Sequence, residues 1–390
     1  MSVMFPDGFL WGTATAAHQV EGGNWNNDWW GWEHAEGTPC EEPSGDACDH
    51  LWRYPQDLKL LADHGFGAYR FSLEWSRIEP EYGEFSTASL DHYRRVIETC
   101  RDLGVMPVVT FHHFTTPRWV VAEGGWENPA TADRFASFCE RAVGHFGDEI
   151  GMACTINEPN IVSLMGWLMG VFPPGRTEDL DAYVKVNENL RTAHRKAYDA
   201  LKAGPGDFPV GLTLSMSEWA AEPGSEHLIA TYRTHHEDEY LEAARGDDFI
   251  GVQAYSRNRV GPSGVLGPEA GVEVLPMGYE YWPQAAEAAI RHAVEVTHAP
   301  VYVTENGIGT ADDDQRVRYV RESLEGVGRT IADGLDVRGW FHWSLLDNFE
   351  WAFGYRMQFG LVAVDRATQA RTVKPSAAWL AEVVRSNRLD

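Results

Sequence analysis

Cysteine is scarce in this 390-residue chain, and its spacing excludes several classes of protein. The number is odd and no C-x-x-C pair occurs, which argues against a disulfide framework or a thiolate metal site. We therefore expect mostly reduced thiols and a cytoplasmic location, with a Cys40–Cys48 bond left open because both lie in one loop-like stretch. The five cysteines are Cys40, Cys48, Cys100, Cys139 and Cys154.

Positive charge and long apolar runs are also lacking. The chain has 32 Lys and Arg against 58 Asp and Glu, a net charge of −26. Such a surface repels nucleic acid and anionic lipid, so neither is an expected partner. No apolar run reaches the ~20 residues of a membrane helix, and no signal peptide is visible at the N-terminus. An oligomer remains open.

Tryptophan, in contrast, is abundant, with 16 residues in the chain. These rings can simply fill a core. They can also line a sugar-binding cleft, because the apolar C–H face of a pyranose stacks on an aromatic face. Composition leaves both interpretations open, and the aromatic loop at 24–30 can likewise form part of a binding wall or merely cap the fold.

Short apolar segments alternate regularly with longer amphipathic ones. The pattern predicts eight strands and eight helices in alternation, without an internal linker, and therefore an α/β fold of the (β/α)₈ TIM-barrel type that forms a single domain over 1–390. The predicted strands are 10–14, 68–73, 107–112, 152–157, 210–216, 249–255, 300–305 and 337–344. The predicted helices are 55–64, 89–103, 131–146, 180–202, 227–244, 281–296, 314–332 and 376–386.

Polar residues follow several of these strands, where such barrels carry their chemistry. Glu158 ends the fourth strand and Glu305 the seventh, and Arg70 lies within the second. A buried arginine requires an anionic partner, which Glu305 or the nearby Glu74 can provide. The alternative to an active site is a set of structural salt bridges. Zinc at His112, His113, His235 and His236 is disfavoured, because no metal-binding helical spacing occurs.

Two carboxyl groups across a barrel mouth suit glycosidic bond cleavage. One must protonate the leaving oxygen, and the other must attack the sugar or activate water. A guanidinium beside Glu305 would keep it ionised as a nucleophile, and that charge would hold the proton on Glu158 as the acid. These two residues supply all the required chemistry, so no cofactor and no metal is expected.

Four segments, in order, resemble glycoside hydrolase family 1. They are Phe-Leu-Trp-Gly-Thr-Ala-Thr-Ala-Ala-His-Gln-Val-Glu-Gly at 9–22, Thr-Ile-Asn-Glu-Pro at 155–159, Val-Thr-Glu-Asn-Gly at 303–307 and Trp-Ser-Leu-Leu-Asp-Asn-Phe-Glu-Trp at 343–351. The resemblance implies a retaining β-glycosidase with Glu158 as acid/base and Glu305 as nucleophile. It also implies Arg70 and Tyr255 as partners of the nucleophile.

The resemblance further implies the residues that bind the terminal sugar. These are Gln19, His113, Asn157, Tyr255, Trp343, Glu350, Trp351 and Phe359. Because Glu350 would repel a phosphate, and the lone cation Arg356 beside it does not form a phosphate cluster, a neutral sugar is favoured. The chain departs from the family at Gln253-Ala254, where Asn-Tyr is usual, at Phe114, Thr115 and Glu74, and in a short segment at 257–276.

The expected function is hydrolysis of terminal β-glucosides, with β-galactosides and β-fucosides as further substrates and a small β-glycoside or oligosaccharide as partner. The alternatives are transglycosylation, which shares the covalent intermediate, and a sugar-binding barrel that has lost catalysis.

Overall fold

Eight parallel strands form a closed barrel in the computed structural model, which describes residues 2–390. Pairing of the last strand with the first and of the fifth with the sixth completes the circle. The predicted fold class is therefore confirmed. The strands are β1 (Leu10–Ala14), β2 (Ala68–Ser72), β3 (Met106–His112), β4 (Met152–Asn157), β5 (Val210–Ala221), β6 (Phe249–Gly261), β7 (Val301–Asn306) and β8 (Val337–Trp343).

Eight helical segments surround the barrel, one after each strand. Apolar faces of these segments pack against the strands, which form the central core and are buried apart from the C-terminal parts of β5 and β6. The segments are His50–Asp63, Thr87–Asp102, Ala130–Phe146, Leu180–Ala203, His227–Arg233 continued to Glu239–Ala243, Ala285–Thr297, Asp313–Ala332 and Pro375–Ser386.

Shorter elements occupy the ends of the barrel. The small strands are Val3–Met4, Gly264–Leu266, Val362–Val364, Arg371–Val373 and Arg388–Leu389, and the short helices are Ala17–Val20, Asp28–Glu33, Trp75–Ile78, Arg118–Ala122 and Pro159–Ser163. Single turns of 3₁₀ helix lie at Gly125–Glu127, Gly147–Glu149 and Trp351–Phe353, and π-helical turns at Leu164–Leu168 and Thr234–Asp238.

Three predicted helix starts are wrong by two residues or more. The sixth long helix begins at Ala285 and not at 281, and the first and second begin earlier than predicted. The second long helix begins at Thr87, because the Ser86 side chain accepts a hydrogen bond from the backbone of Ser89 and acts as the cap. The first begins at His50 and contains Pro55. Proline is favoured in a first turn, which suggested the later start. Asp312 caps the seventh long helix, because its side chain accepts hydrogen bonds from the backbone of Asp314 and Gln315.

Cys40 and Cys48 are both free thiols, as are the other three cysteines. Burial raises the pKa of Cys48 to about 12, so this thiol stays protonated. Within residues 2–390, no helix is both long and apolar enough to cross a bilayer.

Candidate active site

Arg70 connects the ends of three strands inside the barrel mouth. Its side chain is fully buried, and Nη1 donates to Oε1 of Glu305 at 2.5 Å while Nη2 donates to Oδ1 of Asn157 at 2.5 Å. Glu74, the other possible partner, instead accepts hydrogen bonds from Ser76 and Thr115. The arginine therefore places a fixed positive charge against Glu305, the residue at the end of β7.

Glu305 has a second donor on its other oxygen. The Tyr255 hydroxyl donates to Oε2 at 2.6 Å. Burial raises the pKa of Glu305, and the Arg70 charge and the Tyr255 hydrogen bond act in the opposite direction by favouring the ionised form. Each oxygen of this carboxylate thus has a donor that stabilises negative charge.

Glu158 occupies a different environment on the opposite side of the mouth. It precedes the helix Pro159–Ser163 with φ at 42°, a left-handed conformation that is unusual for a glutamate and that turns its side chain out of the strand direction. Burial and the nearby charge of Glu305 raise the pKa of Glu158 to about 8. Of the two carboxyl groups, Glu158 is therefore the one whose surroundings favour the protonated form.

Gln253 is a contact of Glu158 that the sequence did not assign to the site. Its Nε2 donates to Oε1 of Glu158 at 2.8 Å, and its Oε1 accepts from the Thr304 hydroxyl at 3.2 Å. The second contact fixes the orientation of the amide. Gln253 lies two residues before Tyr255, so strand periodicity places both side chains on one face. That spacing was the available signal.

Gln19 and Glu350 meet at a second part of the mouth. Nε2 of Gln19 donates to the backbone oxygen of Phe349 at 2.8 Å and lies 3.3 Å from Oε2 of Glu350. The Oε1 of Gln19 is buried and has no partner within residues 2–390. Burial and the charge of Glu305 raise the pKa of Glu350 to about 8. The pair therefore retains hydrogen-bonding capacity for a polar ligand.

His113 stacks on two indole rings at the same mouth. Its ring is nearly parallel to those of Trp343 and Trp351, with centroids at 5.8 and 6.2 Å. Nε2 contacts the Asn157 amide at 3.2 Å, whereas Nδ1 is buried without a partner in the described chain. Burial and the Arg70 charge hold the pKa of His113 well below its usual range, so the ring is neutral.

Two positions considered from the sequence remain, Phe359 and His112. Phe359 packs edge-on against Tyr255, with centroids 6.1 Å apart. His112 points to the other side of its strand, as expected from the alternation, and its ring packs against Trp126. No group of three or more possible metal ligands occurs in the part of the chain that the structure describes.

The prediction that Arg356 lies as a lone cation beside Glu350 is wrong. Its guanidinium pairs with the carboxylate of Glu41 at 2.7 and 3.0 Å on the protein surface. Neighbours in sequence separate here because a 3₁₀ turn, Trp351–Phe353, and a glycine with positive φ, Gly354, reverse the chain between them. Arg356, the cation nearest in sequence to Glu350, therefore does not pair with it.

Comparison with known proteins identifies the family. The model for glycosyl hydrolase family 1 matches residues 1–259 and 268–389. A 1,4-β-D-glucan glucohydrolase of Thermotoga neapolitana is 34% identical over 99% of both chains, and β-glucosidase A of Thermotoga maritima is 33% identical over 99% of both.

Solved structures agree with the sequence relatives. A crystal structure of a β-glycosidase has a TM-score of 0.91 and 48% identity, covering 98% of this chain and 97% of its own. The β-glucosidase of Thermotoga maritima in complex with deoxynojirimycin has a TM-score of 0.92 and 31% identity, with both chains fully covered. Because the family model and these relatives span almost all of the sequence, the chain belongs to glycosyl hydrolase family 1.

Proposed function

We propose that this chain is a retaining β-glucosidase that removes terminal non-reducing β-D-glucosyl residues. The observation that carries the proposal is the unequal environment of the two buried glutamates. Within residues 2–390, the Glu305 carboxylate receives a guanidinium and a phenol, whereas the Glu158 side chain receives only an amide. Two titratable groups whose surroundings separate their pKa values are the arrangement that acid and nucleophile roles require.

The proposed reaction proceeds in two displacements. The Glu158 carboxyl gives its proton to the glycosidic oxygen while the Glu305 carboxylate forms a bond to C1, so the aglycone leaves as an alcohol. A water molecule then attacks C1, its proton passes to the Glu158 carboxylate, and the bond from C1 to Glu305 breaks. Both carboxyl groups return to their starting states, and the reaction requires no cofactor.

The substrate-binding roles follow from groups that lack protein partners. The free Oε1 of Gln19 and Nδ1 of His113 offer an acceptor and a second polar atom to sugar hydroxyls. Trp343 and Trp351 offer apolar faces to the ring. Asn157, Tyr255, Glu350 and Phe359 complete the proposed set.

Several relatives are named β-glucosidase, which favours glucose as the sugar, and β-galactoside and β-fucoside activities are proposed as secondary. Arg356 pairs with Glu41 on the surface and is therefore not placed to bind a phosphate group in the site, which favours a neutral sugar.

We further propose that residues 1–390 form one glycosidase domain, because the barrel strands are drawn from the whole chain. The free thiols favour a reducing, cytoplasmic location.

The test is an assay against p-nitrophenyl β-glucoside, β-galactoside, β-fucoside, β-mannoside and 6-phospho-β-glucoside, with the first anomer released followed by NMR. We expect β-glucoside to be cleaved and β-glucose to appear first. Release of α-glucose first would contradict the double displacement. Cleavage of only the phosphorylated substrate would contradict the assignment of Glu350. Absence of any covalent adduct with a 2-fluoro glucoside would favour a sugar-binding protein.

The pH profile of kcat/KM should be bell-shaped, with its basic limb near pH 8. Activity falls as pH rises through the pKa of Glu158, about 8, because the acid loses its proton, and it falls at low pH as Glu305 becomes protonated. Gln253→Met removes a donor that favours the ionised form of Glu158, so the basic limb should move to higher pH. Gln253→Asn should give an intermediate shift, and an unchanged limb in both variants would contradict the contact.

Tyr255→Phe should lower kcat/KM without changing the pH of the basic limb. The variant removes one hydrogen bond to the Glu305 carboxylate, a contact worth about 1.5–3 kcal/mol, or roughly 10- to 150-fold in rate. Steady-state kinetics with p-nitrophenyl β-glucoside measure the loss. Tyr281→Phe, which removes a hydroxyl that contacts Arg318 on the surface, is the matched control and should leave the rate unchanged.

A further inference from the structure

Two adjoining cavities lie beside the part of the barrel mouth that holds Glu158 and Glu305, the proposed catalytic pocket. One cavity has a volume of about 500 Å³ and lies mainly between the segments that follow β3 and β4. It adjoins another of about 270 Å³, because both are bordered by Asp28, Val121 and Pro173. The larger cavity alone falls within the roughly 300–1,000 Å³ span of small-molecule sites, and the two together suit an elongated ligand.

One layer of aromatic rings separates the larger cavity from the catalytic pocket. Trp29, Phe114 and Phe172 border the cavity. The same three rings pack against Trp351, with centroids at 4.5, 5.0 and 6.1 Å. The cavity is therefore a neighbour of the pocket that holds Glu158 and Glu305, and neither glutamate borders it.

Two carboxyl groups at the cavity have an oxygen without a protein donor. Asp28 accepts backbone N–H groups of Trp29 and Thr116, at 2.9 and 2.8 Å, both on Oδ1. Glu127 accepts the Trp167 indole N–H and the Arg176 guanidinium, at 3.0 and 2.9 Å, both on Oε1. Within residues 2–390, the second oxygen of each group accepts no hydrogen bond. Both groups can therefore accept hydrogen bonds from ligand hydroxyls.

The ligand that fits this combination is a carbohydrate. Aromatic rings present apolar faces to the C–H side of a pyranose, and carboxyl oxygens accept its hydroxyl protons. At the cavity Arg176 is paired with Glu127, and burial raises the pKa of Asp28 to about 7, so this carboxyl group offers only a partial charge to a cation. The net charge of −26 on the chain opposes anions. An anionic ligand would gain no net attraction there, which leaves a neutral one.

We propose that the two adjoining cavities form a second binding site for a β-linked gluco-oligosaccharide, one aromatic layer away from the catalytic pocket. The choice of a glucose-based ligand rests on the proposed function. The site itself follows from the cavities, the aromatic rings and the free carboxyl oxygens. It can hold a longer substrate or product while the catalytic pocket is occupied by another sugar.

The experiment measures binding with the catalytic pocket blocked. The enzyme is first treated with 2,4-dinitrophenyl 2-deoxy-2-fluoro-β-glucoside, and mass spectrometry shows whether a fluoroglucosyl adduct forms. Cellotriose is then titrated into the blocked enzyme by calorimetry, and saturable binding is expected. If no adduct forms, the proposed function fails, and the titration on untreated protein still tests the second site through the variants below.

Val121→Trp is the decisive variant, because this residue borders both cavities, is 43% exposed and lies outside the proposed catalytic machinery. The bulky ring should weaken cellotriose binding at least about tenfold, while kcat/KM for p-nitrophenyl β-glucoside stays unchanged. Val121→Ala is the matched control and should bind as the unaltered protein does. Asp28→Asn, which keeps the backbone contacts through Oδ1 and replaces the free oxygen with a donor, should also weaken binding.

Two results would overturn the proposal. The first is the absence of cellotriose binding to the blocked enzyme. The second is binding of equal strength in the unaltered protein and in Val121→Trp, which would place the oligosaccharide on the aglycone side of the catalytic pocket instead.

Discussion

Replacing Glu305 with alanine is expected to reduce kcat for β-glucosides by more than the roughly 10²–10⁴-fold that a positioned proton donor supplies. The variant removes the atom that bonds to C1, so no covalent intermediate forms. It also removes the acceptor of Nη1 of Arg70 and of the Tyr255 hydroxyl. Azide ions can enter the vacated space and attack C1 from the face that Glu305 occupied. With an activated aryl β-glucoside the expected product is therefore the α-glucosyl azide, identified by NMR.

Glu158→Ala serves as the comparison and should behave differently. Glu305 can still attack an aryl glucoside whose leaving group needs no proton, so 2,4-dinitrophenyl β-glucoside should lose much less rate than cellobiose. Azide then attacks the glycosyl-enzyme from the face of the departed aglycone and gives the β-glucosyl azide. Glu295→Ala, at an exposed helix position, is the control for loss of a carboxylate. The same azide anomer from both active-site variants would contradict the assigned roles.

The barrel strands could be predicted from sequence because each contains its own signal. A run such as Met152–Asn157 is buried throughout, ends in polar residues and lies between amphipathic helices, so local pattern fixes its identity. Helix starts were less predictable. Ser86 and Ser89 are both possible caps by residue type. The tertiary path of the chain decides which serine side chain accepts hydrogen bonds from the first free N–H groups of the helix.

The candidate site was predictable as a set of positions and less so as a set of contacts. Because the C-terminal ends of parallel strands share one end of a barrel, strand-end residues such as Glu158 and Glu305 had to lie near each other. The contact from Gln253 to Glu158 depends on side-chain reach across the mouth, because the two residues are 95 positions apart in the chain. The pairing of Arg356 with Glu41 depends on a chain reversal at Gly354 that no spacing in the sequence predicts.

Arg70→Met is expected to destabilise the fold by about 3–5 kcal/mol at neutral pH. Methionine nearly fills the volume of the arginine stem, so packing changes little. The main effect is on Glu305, which remains buried with a negative charge and no cation, because the guanidinium of Arg70 is the partner of its Oε1. Unfolding by urea, followed by tryptophan fluorescence, measures the loss. Arg388→Met, which removes an exposed pair with Asp390, is the control and should change stability by less than about 1 kcal/mol.

The double variant Arg70→Met, Glu305→Gln separates the charge effect from the loss of packing. Glutamine carries no charge, so the double variant should be more stable than Arg70→Met alone, although it removes one more native carboxylate.

The pH dependence of this loss of stability has a defined sign. Without Arg70 the pKa of Glu305 in the folded state rises further above its value of about 4.3 in the unfolded chain. Ionisation of Glu305 therefore favours the unfolded chain more strongly as pH increases. The deficit of Arg70→Met relative to the unaltered protein should therefore be smaller at pH 5 than at pH 8, and the double variant, which has no carboxyl group at position 305, should not show this increase of the deficit with pH. A deficit that is equal at both pH values in Arg70→Met, or a double variant less stable than the single one, would show that Arg70 stabilises the barrel through packing and not through its charge.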